Sequence, residues 1–574
     1  MAEKPPIMMV DDIKAGQQGY AKTVFKGTKV EEFPIEIIDI IEDQNLDTDM
    51  ILIKASGEKI EKSGGVASGM SGSPVYINDK LIGAISYKWQ EADHRFALVT
   101  PIIKMLNLKK GTQDVSFYKS LKAANTPIMI GGLTGRSFDR LKNSLDIENS
   151  RFISTSSTSQ QSVENPNLEA GSALAIQLVR GDVSVASIGT VTLVDNNEVY
   201  AFGHPFMNKG KSNFLMSKAY INAIIPSRSQ PFKIGSPMDK LLGVIENDRN
   251  AGVYGKINKF PNIIPLTVKV EDKNLGVTKE VRTQIINDEK LLGELGSSII
   301  LQTIDSSLDR IGYGTSNVSI EIMGSNLPDG KVVRKNMYYS NNDIAVSTLS
   351  DYYRMMDLIT KNPFKEINIF DIKVNIETTK SHDVALIQEA EVLNEKIYPG
   401  SKLKLNVVFR PYRSEAISRE VTIDIPKDIN TGRATLAISG GYSGLPNQRE
   451  PQDDSGNDVN QAVIEGYKSF DQMLTDYVEA PMNNELVLQI YPSFIPRNQI
   501  NKDPDNIEED TEESEQEAPE EEEAITPEKP EEKPEIKKHV YTDFVLEGTL
   551  TLDFEVKNIP EDNEEKNMTE DRKQ

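Results

Sequence analysis

Apolar residues recur at every second position along most of this chain, and helical spacing is confined to a few short runs, so the pattern predicts a mainly β protein. Between residues 13 and 108 the runs 23–25, 33–41, 50–54, 75–77, 81–87 and 96–100 read as short strands separated by Gly and Asn-Asp turns. Pro101-Ile-Ile-Lys-Met-Leu predicts a helix that closes this unit. A second β-rich stretch spans 171–338, with strands at 183–193 and 199–202 around the turn Asp195-Asn-Asn, and with helix-like runs at 238–245 and 291–304. A short helix is predicted at 346–360. The strong Val, Ile and Leu alternation over 367–438 predicts a β-sandwich, with turns at Pro399-Gly400 and Pro426. Residues 461–477 read as helical and 541–556 as returning strand.

Composition changes this picture in two places. The chain has 574 residues, room for three or four domains, and its net charge is −24. Residues 503–535 hold 17 Asp or Glu against Lys529 and Lys533 and so carry −15 of that charge. Such a Pro- and Glu-rich run predicts a disordered acidic insertion within the last domain, and the acidic balance argues against a nucleic-acid partner, which needs clustered Lys and Arg. With no cysteine, disulfides, thiol catalysis and Cys-ligated zinc are excluded. Neither Asp503–Glu535 nor Asp453-Asp-Ser-Gly-Asn-Asp458 has calcium-loop spacing, so no metal and no cofactor are expected. The start, Met1-Ala-Glu-Lys-Pro-Pro, has no basic and apolar signal segment, and no run of about 18 apolar residues occurs. No membrane span is expected.

The strongest chemical signal is Gly69-Met70-Ser71-Gly72-Ser73-Pro74. A serine hydroxyl is a weak nucleophile; it needs exposure on a tight turn, a base beside it, and backbone N–H groups aimed at the developing oxyanion. The two glycines permit backbone conformations that a Cβ would block, which lets the N–H groups of Gly69 and Ser71 converge as an oxyanion hole. The succession that follows the turn over about forty residues, strand, Asn78-Asp79 hairpin, strand, loop, strand and helix, is that of trypsin-like chains.

Four histidines can serve as the base: His94, His204, His382 and His539. His94 sits in a polar loop and reads as surface, as does His382 beside Lys380 and Ser381, and His539 borders the acidic run. His204 follows an apolar strand in Tyr200-Ala-Phe-Gly-His-Pro-Phe, between a glycine and a proline that fix its direction.

Gly64-Gly65 and Gly69-Met-Ser-Gly-Ser-Pro, taken with Gly189-Thr-Val-Thr and Ala201-Phe-Gly-His204, resemble the SpoIVB peptidase family of bacterial serine peptidases. The likeness covers roughly 10–110 and 170–260, with the serine and histidine motifs in reversed order. It implies a trypsin-like double β-barrel unit with Ser71 as nucleophile and His204 as base, acting on proteins outside the cytoplasm or on itself. Ser56 stands where the family has its acidic residue. A carboxylate must hold the histidine, and Asp248, 44 residues after His204, is the best substitute, with Glu58 a weaker one. The expected organisation is a serine-motif barrel half at 8–110, a linker at 111–170, a histidine-motif half at 171–345, a β-sandwich-like domain at 365–500, the acidic segment at 501–538, a returning strand at 539–558 and a tail at 559–574. The competing expectation is a catalytically inactive peptidase-fold protein serving as a binding or scaffold module at the cell envelope.

Overall fold

The computed structural model describes residues 5–41, 49–89, 92–111, 122–123, 126–145, 147, 151–157, 167–441, 467–492 and 536–559. The acidic run 503–535, the loop 453–458, the start of the 461–477 helix and nearly all of the tail lie outside them. The described residues are mainly β and fall into two compact units.

The first unit comprises residues 1–335, 342–380 and 467–478. Its N-terminal part is a closed six-stranded barrel. Strands β1 (Gln18–Val24), β2 (Val30–Ile41), β3 (Met50–Ala55), β4 (Pro74–Ile77), β5 (Lys80–Lys88) and β6 (Phe96–Pro101) pair in the order β4-β1-β2-β3-β6-β5, and β4 also pairs with β5. Alternate positions such as Ile35, Ile37, Ile51, Ile53, Val75, Ile85 and Val99 fill its interior, because successive side chains on a strand face opposite ways. Met70 belongs to the same buried cluster, so the serine turn is anchored in the barrel core. The short helix α1 (Glu58–Ser63) and the predicted closing helix α2 (Ile102–Asn107) flank it.

A large mixed sheet follows. Strands β7 (Lys122–Ala123), β8 (Ile128–Gly131) and β9 (Phe152–Thr155) precede β10 (Ala173–Gly181), β11 (Ser184–Asp195), β12 (Glu198–Ala201), β13 (Gly210–Ile225), β14 (Phe232–Arg249), β15 (Gly252–Ile257), β16 (Ile263–Asp272) and β17 (Val277–Ile286). Within that sheet β10-β13-β14-β15-β12-β11 is a second closed ring of pairings, completed by β10 against β11.

Three expectations are corrected. Residues 238–245 are strand, not helix, because they belong to the 18-residue β14; the register shifts against β13 at 216–217 and 217–219 lie opposite them and break the alternation that would have marked them. The expected linker contains the helix α3 (Gly135–Ser144) and β8, whose Ile128, Met129 and Ile130 are fully buried and pair with β11. The strand Asn368–Thr379 pairs with β16 and with Gly314–Ser325, so the sandwich unit starts near 381 rather than 365. The helix α4 (Leu292–Leu308) lies where its apolar run predicted.

The second unit comprises residues 336–341, 381–466 and 479–574. Two four-stranded sheets there share one buried cluster, with Leu403, Leu405 and Val407 from one and Leu436, Ile438, Leu486 and Leu488 from the other. Its last strand, Thr549–Val556, pairs antiparallel with Gly432–Gly440. Among the described residues no helix is long and apolar enough to cross a membrane.

Candidate active site

The serine turn is built from both closed rings. On its own side, Met70 N–H donates to the Ala67 carbonyl, Gly72 N–H to Ile85, and Ser73 N–H to Met70, at 2.7–2.9 Å. The N–H groups of Gly69 and Ser71 donate to no backbone carbonyl among the described residues. From the other side β11 clamps the turn. Thr190 N–H donates to the Ser71 carbonyl at 2.8 Å, the Thr190 hydroxyl to the Gly69 carbonyl at 3.0 Å, and the Thr192 hydroxyl to the Gly72 carbonyl at 2.8 Å. Residues two apart on a strand share a face, so Gly189-Thr-Val-Thr places both hydroxyls on the turn. This alternation was visible in the sequence, but its role was not.

Gly72 has φ +90°, and a Cβ there would meet the Thr190 carbonyl oxygen at 1.9 Å and Phe202 N at 2.5 Å. Only glycine fits between the turn and the strand end that carries the histidine. A Cβ on Gly69, at φ +92°, would meet only the side chain of Lys233, at 3.2–3.3 Å.

His204 is reached through Phe202 and Gly203, both in the left-handed region, where the chain reverses after β12. The Gly203 carbonyl accepts from Thr100 Oγ1 at 2.7 Å, and Thr100 Oγ1 lies 2.8 Å from Ser86 Oγ. Strands β5 and β6 therefore hold the histidine loop, as β11 holds the serine turn. The imidazole packs near the rings of Tyr87 and Phe202, each with centroids 6.0 Å away. Burial pushes it down to about 4, partly offset by the Pro205 carbonyl, so it is neutral at pH 7. Ser71 Oγ and His204 Nε2 are both buried and have no hydrogen-bond partner among the described residues, so they are not bonded to each other in this conformation.

Asp248 does not hold the imidazole. His204 Nδ1 lies 2.7 Å from the Pro205 carbonyl oxygen, while the fully buried Asp248 carboxylate accepts from the backbone N–H groups of Phe206 (2.7 Å), Met207 (2.8 Å) and Lys209 (3.3 Å). Burial raises its proton affinity and these bonds lower it, with burial prevailing. Its neighbours are the loop after His204, not the ring. Glu58 is fully exposed on α1 and pairs with Lys62, so it has no place in the site.

The other histidines are accounted for by packing. His94, expected at the surface, is buried, with Nε2 3.0 Å from the Arg228 carbonyl oxygen, because Gly65 lets it pack against the backbone there. His382 stacks on Tyr412 at 4.0 Å and meets the Tyr339 hydroxyl at 2.8 Å. His539 lies on the strand Ile536–Tyr541, 3.8 Å from Glu485.

Two buried lysines went unnoticed in the sequence. Lys233 is fully buried on β14; its Nζ donates to Thr23 Oγ1 at 2.8 Å, and its N–H donates to the Ser68 carbonyl. Lys88 donates to the Val66 carbonyl at 3.0 Å. Burial pushes each down to about 7. Among the described residues no group of three or more acidic or histidine side chains could hold a metal ion.

Residues 1–96 match the family model described as SpoIVB peptidase S55. The match contains Ser71 and the first five strands, and stops at the first residue of β6, before His204 and Asp248. Comparison with curated proteins and with solved structures found no match.

Gly72→Ala is expected to destabilise the first unit by on the order of 3 kcal/mol, and Gly69→Ala by less, about 1–2 kcal/mol, the cost of left-handed backbone where only the Lys233 side chain has to give way. Equal costs in urea unfolding would show that the turn is not wedged against β11. Lys233 and Lys88 bind fewer protons folded than unfolded between pH 7 and 10.5. Stability should therefore rise across that window, and Lys233→Met should reduce the slope; an unchanged melting profile would contradict a neutral buried lysine.

Proposed function

We propose that this protein, whose first 96 residues are a SpoIVB peptidase S55 domain, is a serine endopeptidase of trypsin-like double-barrel architecture that acts on protein substrates outside the cytoplasm. The observation that carries the proposal is the serine turn itself. Its backbone is fixed from both rings, the N–H groups of Gly69 and Ser71 have no backbone acceptor among the described residues, and the histidine loop packs against Gly72. The two closed rings support the architecture, and the family match supports the substrate class.

In the proposed reaction Ser71 Oγ bonds to the substrate carbonyl carbon as its proton passes to His204 Nε2. The oxyanion is received by the N–H groups of Gly69 and Ser71. The peptide C–N bond breaks as the proton moves from His204 to the leaving amine. Water then adds to the acyl carbon, giving one proton to His204, which returns it to Ser71 as the acid product leaves. A neutral imidazole at pH 7 suits the base role, and Asp248 serves it indirectly by fixing residues 206–209 after the histidine.

The unbonded Ser71 and His204, with a backbone carbonyl rather than a carboxylate on Nδ1, favour the inactive scaffold as the second reading. A fluorophosphonate probe separates the two. Labelling should occur, vanish in Ser71→Ala, and fall by about a hundredfold or more in His204→Ala. No labelling anywhere from pH 6 to 9 supports the scaffold.

The labelling rate should stay flat down to about pH 5 and fall towards pH 4, since protonation of His204 removes the base. Asp248→Asn should lower the melting temperature without moving that acid limb. A limb near pH 6.5 would contradict a desolvated ring, and one displaced by Asp248→Asn would mean that Asp248 acts on the ring directly.

A further inference from the structure

The peptide unit between Ser68 and Gly69 carries one of the two proposed oxyanion donors, the Gly69 N–H. A trans peptide is planar, so its carbonyl and its N–H point to opposite sides, and whatever grips the Ser68 carbonyl also aims the Gly69 N–H. The turn alone does not secure that aim. Gly69 sits at φ +92°, and a glycine takes the opposite sign of φ about as readily, so the unit is free to turn over and carry the N–H to its other side.

The grip comes from β14 and the residues just before it. The Lys233 N–H donates to the Ser68 carbonyl at 2.9 Å, the Ser68 N–H donates to the Pro231 carbonyl at 2.8 Å, and Gln230 Nε2 donates to Ser68 Oγ at 2.9 Å. Ser68 and Phe232 form an isolated parallel bridge, with no longer strand pairing to support it. The Lys233 side chain ties that bridge to the barrel. Its Cβ, Cγ and Cδ lie 3.2–3.3 Å from where a Cβ on Gly69 would stand, so the stem fills the space beside that α-carbon. Beyond the stem, Nζ donates at 2.8 Å to Oγ1 of the buried Thr23 on β1. One residue thus runs from the second ring, past the oxyanion donor, to the barrel that carries Ser71. Packing alone does not account for the amine. Burying it is costly, and an unbranched apolar chain such as Met would fill the same space without that cost. What the amine adds is a fixed far end for the stem.

We propose that Lys233 is a positioning residue for the oxyanion hole: with its main chain on Ser68, its stem against Gly69 and its amine on Thr23, it keeps the Gly69 N–H pointed at the reacting carbonyl. The inference rests on the peptidase reading of Ser71. It gives a part in the reaction to a side chain that touches no substrate.

The test compares labelling of the full chain by a fluorophosphonate and by its fluorophosphonothioate analogue, in which sulfur replaces the phosphoryl oxygen. Sulfur is the weaker hydrogen-bond acceptor, so the ratio of the two Ser71 labelling rates reads the oxyanion donors and does not depend on how much of the protein is folded. Thr23→Val removes the acceptor of Nζ with little change of shape, Thr23→Ser retains it, and Lys233→Ala removes stem and amine together. The oxygen-over-sulfur ratio should fall by about tenfold or more in Lys233→Ala, fall in Thr23→Val, and stay within about twofold of wild type in Thr23→Ser. Lower melting temperatures in Lys233→Ala and Thr23→Val with an unchanged ratio would make Lys233 a packing residue only, which overturns the inference and leaves the peptidase standing. A ratio lost as fully in Thr23→Ser as in Thr23→Val would overturn the anchor. If Lys233→Ala does not fold, the two Thr23 variants decide the outcome by themselves. No labelling of wild-type Ser71 by either probe would overturn the peptidase reading and this inference with it.

Discussion

Three hydrogen bonds from one strand to one turn organise the first unit. Thr190 and Thr192 of β11 secure the carbonyls of Gly69, Ser71 and Gly72, which a tight turn cannot satisfy internally. Buried carbonyls without donors cost about 1–3 kcal/mol each, so the turn is stable only where this strand covers it. The absence of a Cβ at Gly72 makes the approach close enough for these bonds. Covering the turn also brings in the end of β12, and with it Phe202, Gly203 and His204. The return contacts are of the same kind: Thr100 on β6 donates to the Gly203 carbonyl, so each ring fixes the other's functional loop.

This arrangement explains the electrostatics of the site. Enclosing the turn on both sides removes water from His204, Lys233 and Asp248 together. Burial pushes the imidazole down to about 4 and the Lys233 amine down to about 7, while the carboxylate is compensated by backbone N–H donors. A neutral imidazole is what the proposed acyl transfer needs, and Lys233 shares its desolvated surroundings behind Gly69.

Much of this was legible in the sequence because local rules were followed. Glycines at 69 and 72, the Asn78-Asp79 hairpin and the apolar alternation of β2 and β3 each specify their own backbone, so the barrel and the serine turn could be read directly. His204 was reached by elimination among four histidines. What was hidden depends on distant pairing. The bulges in β13 and β14 disguise an 18-residue strand as a helix, and the parallel pairing of Asn368–Thr379 with β16 moves a strand across the expected domain boundary. Spacing suggested Asp248 as a partner of the histidine. The folded chain gives it to the N–H groups of the following loop, a preference that no spacing encodes. The clamp by Thr190 and Thr192 was present only as a motif without an assigned contact.

The most direct measurement of the central claim is a crystal structure of the phosphonate adduct of the full chain. The account predicts phosphorus on Ser71 Oγ, one phosphoryl oxygen within hydrogen-bond reach of the Gly69 and Ser71 N–H groups, and His204 Nε2 turned to the adduct with the Thr190 and Thr192 clamp intact. An adduct on another residue, or one on Ser71 with the oxygen away from both N–H groups and His204 still bound only to the Pro205 carbonyl, would contradict it.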